Sequence, residues 1–127
     1  MADEGYDPKR SRVSESTMGD FIRGEISGEI TEVPGIGPAA AKKLAESDDQ
    51  VTNTYQLFGK FLSLKGPDKV DPVEHMEKFW YWLKDQGISA HRSAVVRAIA
   101  EKMNSMMNGL YDAEAYGDDD DDDDEEE

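Results

Sequence analysis

The sequence predicts an all-α fold, a compact bundle of about five helices. Apolar residues recur three and four positions apart in several segments, which is the spacing of one helical face. No segment alternates apolar and polar residues as a half-buried strand does, and no Asn-Gly pair is flanked by two such strands. Glycine and proline stand between the apolar segments, where they end and begin helices.

The N-terminal part predicts an arm followed by a short helix. Residues 1–10 are polar, contain glycine and proline and show no periodicity, so we expect them to be disordered. Either Ser11 or Ser14 can cap a helix that runs toward Ile22. Its weak apolar face consists of Val13, Met18, Phe21 and Ile22. The segment Gly24–Glu29 holds two glycines and is expected to be a connection.

A helix-hairpin-helix motif is predicted next. Ile30 and Val33 are three residues apart, as on one helical face, and Gly35-Ile36-Gly37 then predicts a tight turn. Pro38 stands at the first position of a new helix, where proline is best tolerated, and strong helix formers follow it. A bundle of short helices that contains this motif corresponds to the fold called SAM-like.

The third predicted helix runs from about Thr52 to Leu64, after a break at Asp48 or Asp49. Its apolar residues are too many for one face: Tyr55, Leu57, Phe58, Phe61, Leu62 and Leu64. A helix of this kind is either buried on more than one side or self-associates.

Two further helices complete the bundle. Pro72 opens a helix on which Trp82 lies off the apolar stripe, and we expect His75 of this helix to face solvent. The stripe consists of Val73, Met76, Phe79, Trp80 and Leu83. The last helix begins after Gly87, with Ser89 as its cap. Its apolar face consists of Val95, Val96, Ile99, Met103, Met106 and Met107 and extends to about Leu110.

The acidic residues lie mostly at the two ends of the chain. The formal net charge is −15, but residues 21–111 hold eleven basic and twelve acidic residues and are nearly neutral. Residues 118–127 are ten acidic residues in a row. We therefore expect a helical domain over 11–111 and an acidic disordered tail over 112–127. The overall charge does not argue against a nucleic-acid partner for the folded part.

Composition also excludes several classes of protein. The chain has no cysteine, so disulfides, thiolate metal sites and a cysteine nucleophile are excluded. No apolar run approaches the ~20 residues of a membrane span, and the N-terminus has no apolar signal-peptide core. We expect a soluble intracellular protein without a metal site, a cofactor or insertion into a membrane. No recognisable nucleophile set is present, so we do not expect an enzyme.

The motif Val33-Pro34-Gly35-Ile36-Gly37-Pro38 predicts a phosphate site. Ile36 would plug the hairpin from below, while backbone N–H groups at the start of the second helix, including that of Ala39, would point outward. Such donors, together with the positive end of the helix dipole, bind anions. Lys42 and Lys43 follow about one turn later, within reach of a neighbouring phosphate. The alternative is a glycine-rich turn that contacts no ligand.

A second helix start is expected to assist. Ser89-Ala90-His91-Arg92 would present further N–H groups, and the planar guanidinium of Arg92 suits a phosphate. The alternative, with equal weight, is an ordinary capped helix. Contacts to phosphate carry no base information, so we expect binding without sequence preference.

The chain resembles the barrier-to-autointegration factor family, small dimeric chromatin proteins that bridge DNA duplexes. The likeness covers about residues 30–107. It rests on four motifs in order: Gly35-Ile36-Gly37 with Ala41-Lys42-Lys43-Leu44, Tyr55-x-x-x-Gly59-x-Phe61-Leu62-x-Leu64, Phe79-x-x-Trp82-Leu83-Lys84-Asp85 and Gly87-x-x-Ala90-x-x-Ser93. The order and approximate spacing of these motifs make the resemblance fairly specific.

The resemblance implies sites for DNA and for a second subunit. The DNA contacts would be made by Gly35, Ile36, Gly37, Ala39, Lys43, Ser89, Ala90 and His91. A homodimer would have Gly59, Phe61 and Trp82 near the subunit contact; the alternative for the aromatic residues is that they are simply core. The family also binds LEM-domain proteins, but Ser63 and Trp80 differ in character from the family's residues on that surface. Lys9, Arg10 and Arg12 are compatible with a basic arm at DNA.

Together these expectations describe a small dimeric architectural protein of chromatin that binds and bridges double-stranded DNA. Its expected location is the nucleus, with the cytoplasm as a further compartment. The alternative function is a protein-interaction module, or a histone-binding, chaperone-like protein that uses the acidic tail. The tail itself has three candidate roles: a solubilising segment, a competitor that folds back on the DNA surface, or a ligand for histones.

Overall fold

The protein is an all-helical bundle. The computed structural model describes residues 5–11, 13–65, 71–107 and 109–116; Arg12, most of the loop that begins at Gly66 and the acidic run 118–127 lie outside these ranges. Five α-helices and no strand occur in the described ranges. They are α1 (Glu15–Arg23), α2 (Pro38–Glu46), α3 (Thr54–Ser63), α4 (Pro72–Asp85) and α5 (Arg92–Met106). Three short 3-10 turns accompany them, at Pro8–Arg10, Ile30–Glu32 and Ala113–Tyr116.

Side-chain caps fix where three of the helices begin. Of the two candidates for α1, Ser14 is the cap, and its hydroxyl accepts the N–H of Thr17 at 3.1 Å. Asn53 caps α3 and Asp71 caps α4 in the same manner. These bonds satisfy backbone donors that have no partner within their own helix.

Helix α5 lies at the centre of the core. It packs against α1, α3, α4 and the N-terminal 3-10 turn. Val95, Val96 and Ile99 are fully buried, as are Ala94, Ala98 and Ala100 on its other sides. Because small alanines accompany the larger residues, neighbouring helices can approach α5 from several directions. The sequence predicted one apolar face, and the helix is instead buried nearly all round.

The predicted start of the last helix was wrong. The helix begins at Arg92 rather than just after Gly87, and its N-cap is His91 rather than Ser89. The cause is the end of α4, where the N–H of Gly87 donates to the Lys84 carbonyl at 3.0 Å and that of Ile88 to the Leu83 carbonyl at 3.2 Å. This pair of bonds is a Schellman motif, which keeps residues up to Ile88 out of the next helix.

The predicted disorder of residues 1–10 was wrong for residues 5–10. Tyr6 is buried, its N–H donates to the carboxylate of Glu77 at 3.1 Å, and its hydroxyl lies 2.6 Å from that of Tyr111. The ring of Tyr116 packs edge-on against Tyr6 at 5.1 Å between centroids. Residues 112–116 therefore belong to the domain as well. Single aromatic residues outside a periodic segment produce no periodicity signal, which is why the boundaries were placed too far inward.

His75 was predicted to face solvent and is instead fully buried. Its ring stacks on Phe61 at 4.2 Å, and its Nε2–H donates to the carbonyl of Phe61 at 2.6 Å. His75, Phe79 and Trp82 are spaced at i, i+4 and i+7, so they share one face of α4 that packs on α3. This second buried face also accounts for Trp82, which lay off the predicted stripe.

Candidate nucleic-acid interface

The hairpin is built on apolar residues that hold it to the core. Val33, Ile36 and Leu44 are all buried, so the side chain of Ile36 faces the core. The N–H of Ile36 donates to the carbonyl of Val33 at 2.9 Å and closes the turn. The element before the turn is the 3-10 turn Ile30–Glu32 and not an α-helix. The hairpin therefore joins a single 3-10 turn to α2.

The two glycines of the hairpin have different structural roles. Gly35 has a φ of +97°, and a Cβ there would lie 3.0 Å from Cγ2 of Val95 and 3.1 Å from the carbonyl oxygen of His91. Only glycine fits such a position. Gly37 has a φ of −98°, which any residue can adopt, and nothing lies within 4 Å of where its Cβ would be. Gly35 therefore joins the hairpin to α5, and Gly37 leaves open space in front of α2.

The start of α2 has amide groups that no side chain caps. The first bond of the helix runs from the N–H of Ala41 to the carbonyl of Gly37 at 2.9 Å. The N–H groups of Ala39 and Ala40 precede that bond, and Gly37, the N-cap, has no side chain to accept them. Gly37, Pro38 and Ala39 are exposed. The geometry leaves the positive end of the α2 dipole accessible to an anion.

The two predicted DNA-binding segments lie on opposite walls of one open cleft of about 260 Å³. The hairpin side contributes Gly35, Gly37, Ala39 and Lys43. The segment before α5 contributes Ser89, Ala90 and His91. Lys43 braces the two walls, because its Nζ donates to the carbonyl of Gly87 at 2.8 Å. The residues that were predicted from two separate sequence motifs thus line one cleft.

The backbone on the α5 side of the cleft is in an uncommon conformation. His91 has a φ of +63°, in the left-handed region, although it carries a side chain. A non-glycine residue there costs on the order of 1 kcal/mol or more, so surrounding contacts must hold it. Its carbonyl accepts the first bond of α5, from the N–H of Val95 at 3.1 Å. The side chain of His91 is exposed at the rim of the cleft.

Three basic residues of α2 and α5 lie in different surroundings. Lys42 is exposed on α2 but does not line the cleft. Arg92 does not line it either, since its guanidinium lies over the ring of Trp80 at 4.3 Å in a neighbouring pocket. Arg97, further along α5, is held by Glu15 at 3.0 Å and Glu101 at 2.6 Å. Arg97 thus serves the fold.

An acidic groove borders the cleft. It is lined by Glu46, Asp48 and Asp85, and Lys43 stands between it and the cleft. A polyanion would be repelled from this groove, so it marks an edge of any phosphate-binding surface. The bordering carboxylates favour an approach to the cleft from the side of Ser89 and His91.

The residues predicted for a subunit contact do not form one surface. Gly59 is exposed on α3, and nothing lies within 4 Å of where its Cβ would be. Phe61 is fully buried within its own chain and so cannot reach a partner, which corrects the prediction for this residue. Trp82 is 9% exposed, and its Nε1–H donates to Asp49 at 3.1 Å while Lys60 lies over its ring. Both aromatics are core residues, and Gly59 alone remains open to a second subunit.

No protein-family model, curated protein or solved structure matches this chain.

No helix in the described ranges is long and apolar enough to cross a membrane. No group of three or more His, Asp or Glu residues in the same ranges is arranged to hold a metal ion.

Sequence reasoning missed two features of this surface. Trp80 was assigned to the core stripe, but it also supports Arg92. Arg10 was predicted to belong to a disordered basic arm compatible with DNA, whereas the anchored N-terminal segment holds it at the same pocket. The sequence indicates neither contact, because each joins residues from different elements of the chain.

Proposed function

We propose that this protein binds double-stranded DNA through its phosphate backbone at the cleft between the hairpin and the start of α5. The observation that carries the proposal is the uncapped, exposed start of α2, which opens into a cleft braced by Lys43. Backbone N–H groups at a helix start, with a lysine beside them, suit a phosphate oxygen. The small residues Gly37 and Ala39 leave room for a DNA strand to approach.

Binding of this kind would not depend on base sequence. The cleft offers backbone donors, a lysine and a serine hydroxyl, and these groups recognise phosphate and sugar rather than base edges. Affinity would instead fall steeply with salt, because each neutralised phosphate releases counterions. A role at chromatin in the nucleus would follow from such binding.

Bridging of two duplexes requires two sites. A homodimer that meets at the open face around Gly59 would supply them, one from each subunit. Two exposed clefts in one dimer would join duplexes without any further partner. This part of the proposal rests on the exposure of Gly59 and on the resemblance of the chain to the bridging family.

The test is a gel-shift titration of random-sequence duplex at two salt concentrations with Gly37→Glu. The structure makes Gly37 a better test position than Gly35, since the ordinary φ and open space at Gly37 let a glutamate fit without strain. The new carboxylate would stand in front of the α2 amides and repel phosphate, so we expect a loss of affinity of at least tenfold, about 1.4 kcal/mol.

Gly59→Glu is the matched control, because it adds the same group at another open glycine. We expect this variant to bind one duplex as the parent does but to sediment as a monomer and to lose bridging. Wild-type affinity of a folded Gly37→Glu protein would overturn the site. If the full chain shifts no duplex and instead binds histones through the acidic run, the chaperone-like alternative replaces the proposal.

A further inference from the structure

A second, smaller pocket of about 140 Å³ lies beside the cleft and shares Ser89 and His91 with it. Its other lining residues are Arg10, Trp80, Arg92 and Ser93. We call it the arginine pocket. Three parts of the chain meet in it: the N-terminal 3-10 turn, α4 and the start of α5. None of the described residues that line it is acidic, and they present cationic and hydroxyl groups.

The guanidinium of Arg92 is held in a fixed orientation, but not all of its N–H groups have a hydrogen-bond acceptor among the described residues. Its guanidinium carbon lies 4.3 Å from the centroid of the Trp80 ring, and its Nη1 donates to the carbonyl of Ile88 at 2.5 Å. The Nε–H of Arg92 is buried and has no hydrogen-bond partner among the described residues. A buried donor without an acceptor is unfavourable, and an oxyanion is the acceptor that suits a guanidinium best.

The N-terminal segment brings a second arginine to the pocket. The N–H of Asp7 donates to Oγ of Ser93 at 3.2 Å, which holds the 3-10 turn Pro8–Arg10 against α5. A serine hydroxyl that accepts this bond keeps its own proton to donate to a ligand. Nε of Arg10 lies 3.8 Å from the carboxylate of Asp7, with both side chains nearly half exposed. A surface pair at that distance contributes little to stability.

We propose that the arginine pocket binds a second phosphate group, beside the phosphate held at the hairpin. Arg92 would supply its guanidinium, Arg10 a second guanidinium and Ser93 its hydroxyl. Where that phosphate belongs to DNA, the inference rests on the proposed function. A phosphate held in this pocket would make the N-terminal segment part of the binding site, although this segment lies outside the five α-helices.

The first test uses inorganic phosphate and the full chain. Arginine Nε–H groups give resolved signals in proton–nitrogen correlation spectra. We expect the Arg92 signal to move and saturate with phosphate, and Arg10→Gln to weaken the apparent affinity several-fold. Chloride at matched ionic strength should leave the signal in place. An Arg92 signal that does not respond to phosphate, or that responds equally to chloride, would overturn the proposal.

The second test measures DNA affinity against salt for Arg92→Gln and Arg10→Gln. Each loses one phosphate contact, so each should reduce the slope of log K against log salt by about 1. Arg10→Gln leaves the Trp80 stack intact, so it tests the pocket even where Arg92→Gln lowers stability. Wild-type slopes in both folded variants would contradict the proposal.

Arg23→Gln is the matched control. Arg23 ends α1, and its side chain is 75% exposed. Lys102 bonds to the carbonyl of Phe21 at 2.9 Å, which places the end of α1 about 15 Å along α5 from Arg92. Loss of the Arg23 charge should leave the slope of log K against log salt unchanged.

Two DNA forms identify the source of the phosphate. An effect of Arg92→Gln on covalently closed circles assigns the pocket to internal phosphodiesters. An effect confined to linear duplex with 5′-phosphate ends assigns it to a terminal phosphate.

The two proposals also fail separately. If phosphate moves the Arg92 signal but no duplex binds, the proposed function is wrong and the pocket stands. If only Gly37→Glu impairs DNA binding, the pocket is wrong and the proposed function stands.

Discussion

The two glycines of the hairpin differ in their structural roles: Gly35 is required by the fold, whereas Gly37 leaves the start of α2 open. Gly35 is fixed by its φ of +97° and by contact with Val95, so any side chain there would disturb the joint between hairpin and α5. Gly37 bears no such constraint. A loss of DNA binding on substitution of Gly35 would therefore report on folding as well as on contact. A substitution at Gly37 separates an effect on DNA contact from an effect on folding.

His75 shows how one buried residue can make stability depend on pH. Burial lowers its pKa below the ordinary value of 6.5, against the opposing effect of the Phe61 carbonyl. Its Nε2–H already has an acceptor, whereas Nδ1 is buried with no hydrogen-bond partner among the described residues. Protonation would create a second N–H without an acceptor and a charge inside the core.

We expect the free energy of unfolding to fall as pH decreases below 6.5, with a slope of up to about 1.4 kcal/mol per pH unit from His75. The sign follows because the unfolded chain takes up the proton at 6.5, while the folded chain takes it up only at a lower pH. The contribution levels off below the folded pKa. His75→Gln should remove it, since the Gln amide can still donate to Phe61 but does not titrate.

The measurement is urea unfolding of both proteins at several pH values between 8 and about 5. Burial raises the pKa of Glu77, which acts in the opposite sense, so the difference between wild type and variant isolates His75. The exposed His91 gives the control His91→Asn, and asparagine tolerates the left-handed conformation of that position. Equal slopes in wild type and His75→Gln would contradict the assignment.

Among the secondary-structure elements, α5 and the two terminal segments form one unit. Helix α5 packs against the N-terminal turn Pro8–Arg10, and the rings of Tyr6, Tyr111 and Tyr116 meet in one aromatic cluster. This cluster joins residues more than 100 positions apart in the chain. The end segments therefore contribute to the stability of the bundle, and the N-terminal one positions Arg10.

Tyr6→Ala should lower the free energy of unfolding by about 3 kcal/mol, because it removes a buried aromatic ring from this cluster. Tyr6→Phe is the matched variant. It keeps the ring and loses only the hydroxyl bond to Tyr111, so we expect a loss of about 1 kcal/mol. Urea unfolding gives both values, and limited proteolysis shows whether residues 5–11 become cleavable in the alanine variant. A change below ~0.5 kcal/mol for Tyr6→Ala would mean that the segment is not part of the fold.

The helices that were predicted well from the sequence are those with apolar residues at helical spacing and a side-chain cap at the N-terminus. Helix α4 begins at Pro72 as expected, and α3 lies within the predicted helix. The start of α5 was missed because the Schellman motif after α4 depends on backbone bonds, which side-chain periodicity does not report. The buried His75 and the packing of Tyr6 depend on contacts between distant segments. The two halves of the cleft were predicted from their motifs, but their meeting depends on how the hairpin packs on α5.

At the scale of the whole molecule, the basic residues at the cleft and the acidic run at the C-terminal end of the sequence carry opposite charges. Lys43, Arg10 and Arg92 surround the cleft and the arginine pocket, while residues 118–127 are all acidic. Tyr116, just before this run, packs on Tyr6, and Tyr6 is next to Asp7, which bonds to Ser93 of the pocket. Tyr116, the last residue described before this run, therefore lies on the same side as the pocket. Ten residues can span at most about 36 Å.

Truncation after Tyr116 should tighten DNA binding at low salt, because an attached polyanion would compete with DNA for the same cationic groups. Tyr116 is retained, so the aromatic cluster and the fold should be unaffected. The gain should be several-fold at about 0.01 M salt, where charges act over ~30 Å, and should nearly vanish at 0.15 M or above, where they act over ~8 Å. A gel-shift series across these salt concentrations measures it. The matched control replaces residues 118–127 by uncharged polar residues of the same number. If this control binds as weakly as the full chain, the length of the tail and not its charge is responsible, and unchanged affinity on truncation would remove autoinhibition altogether.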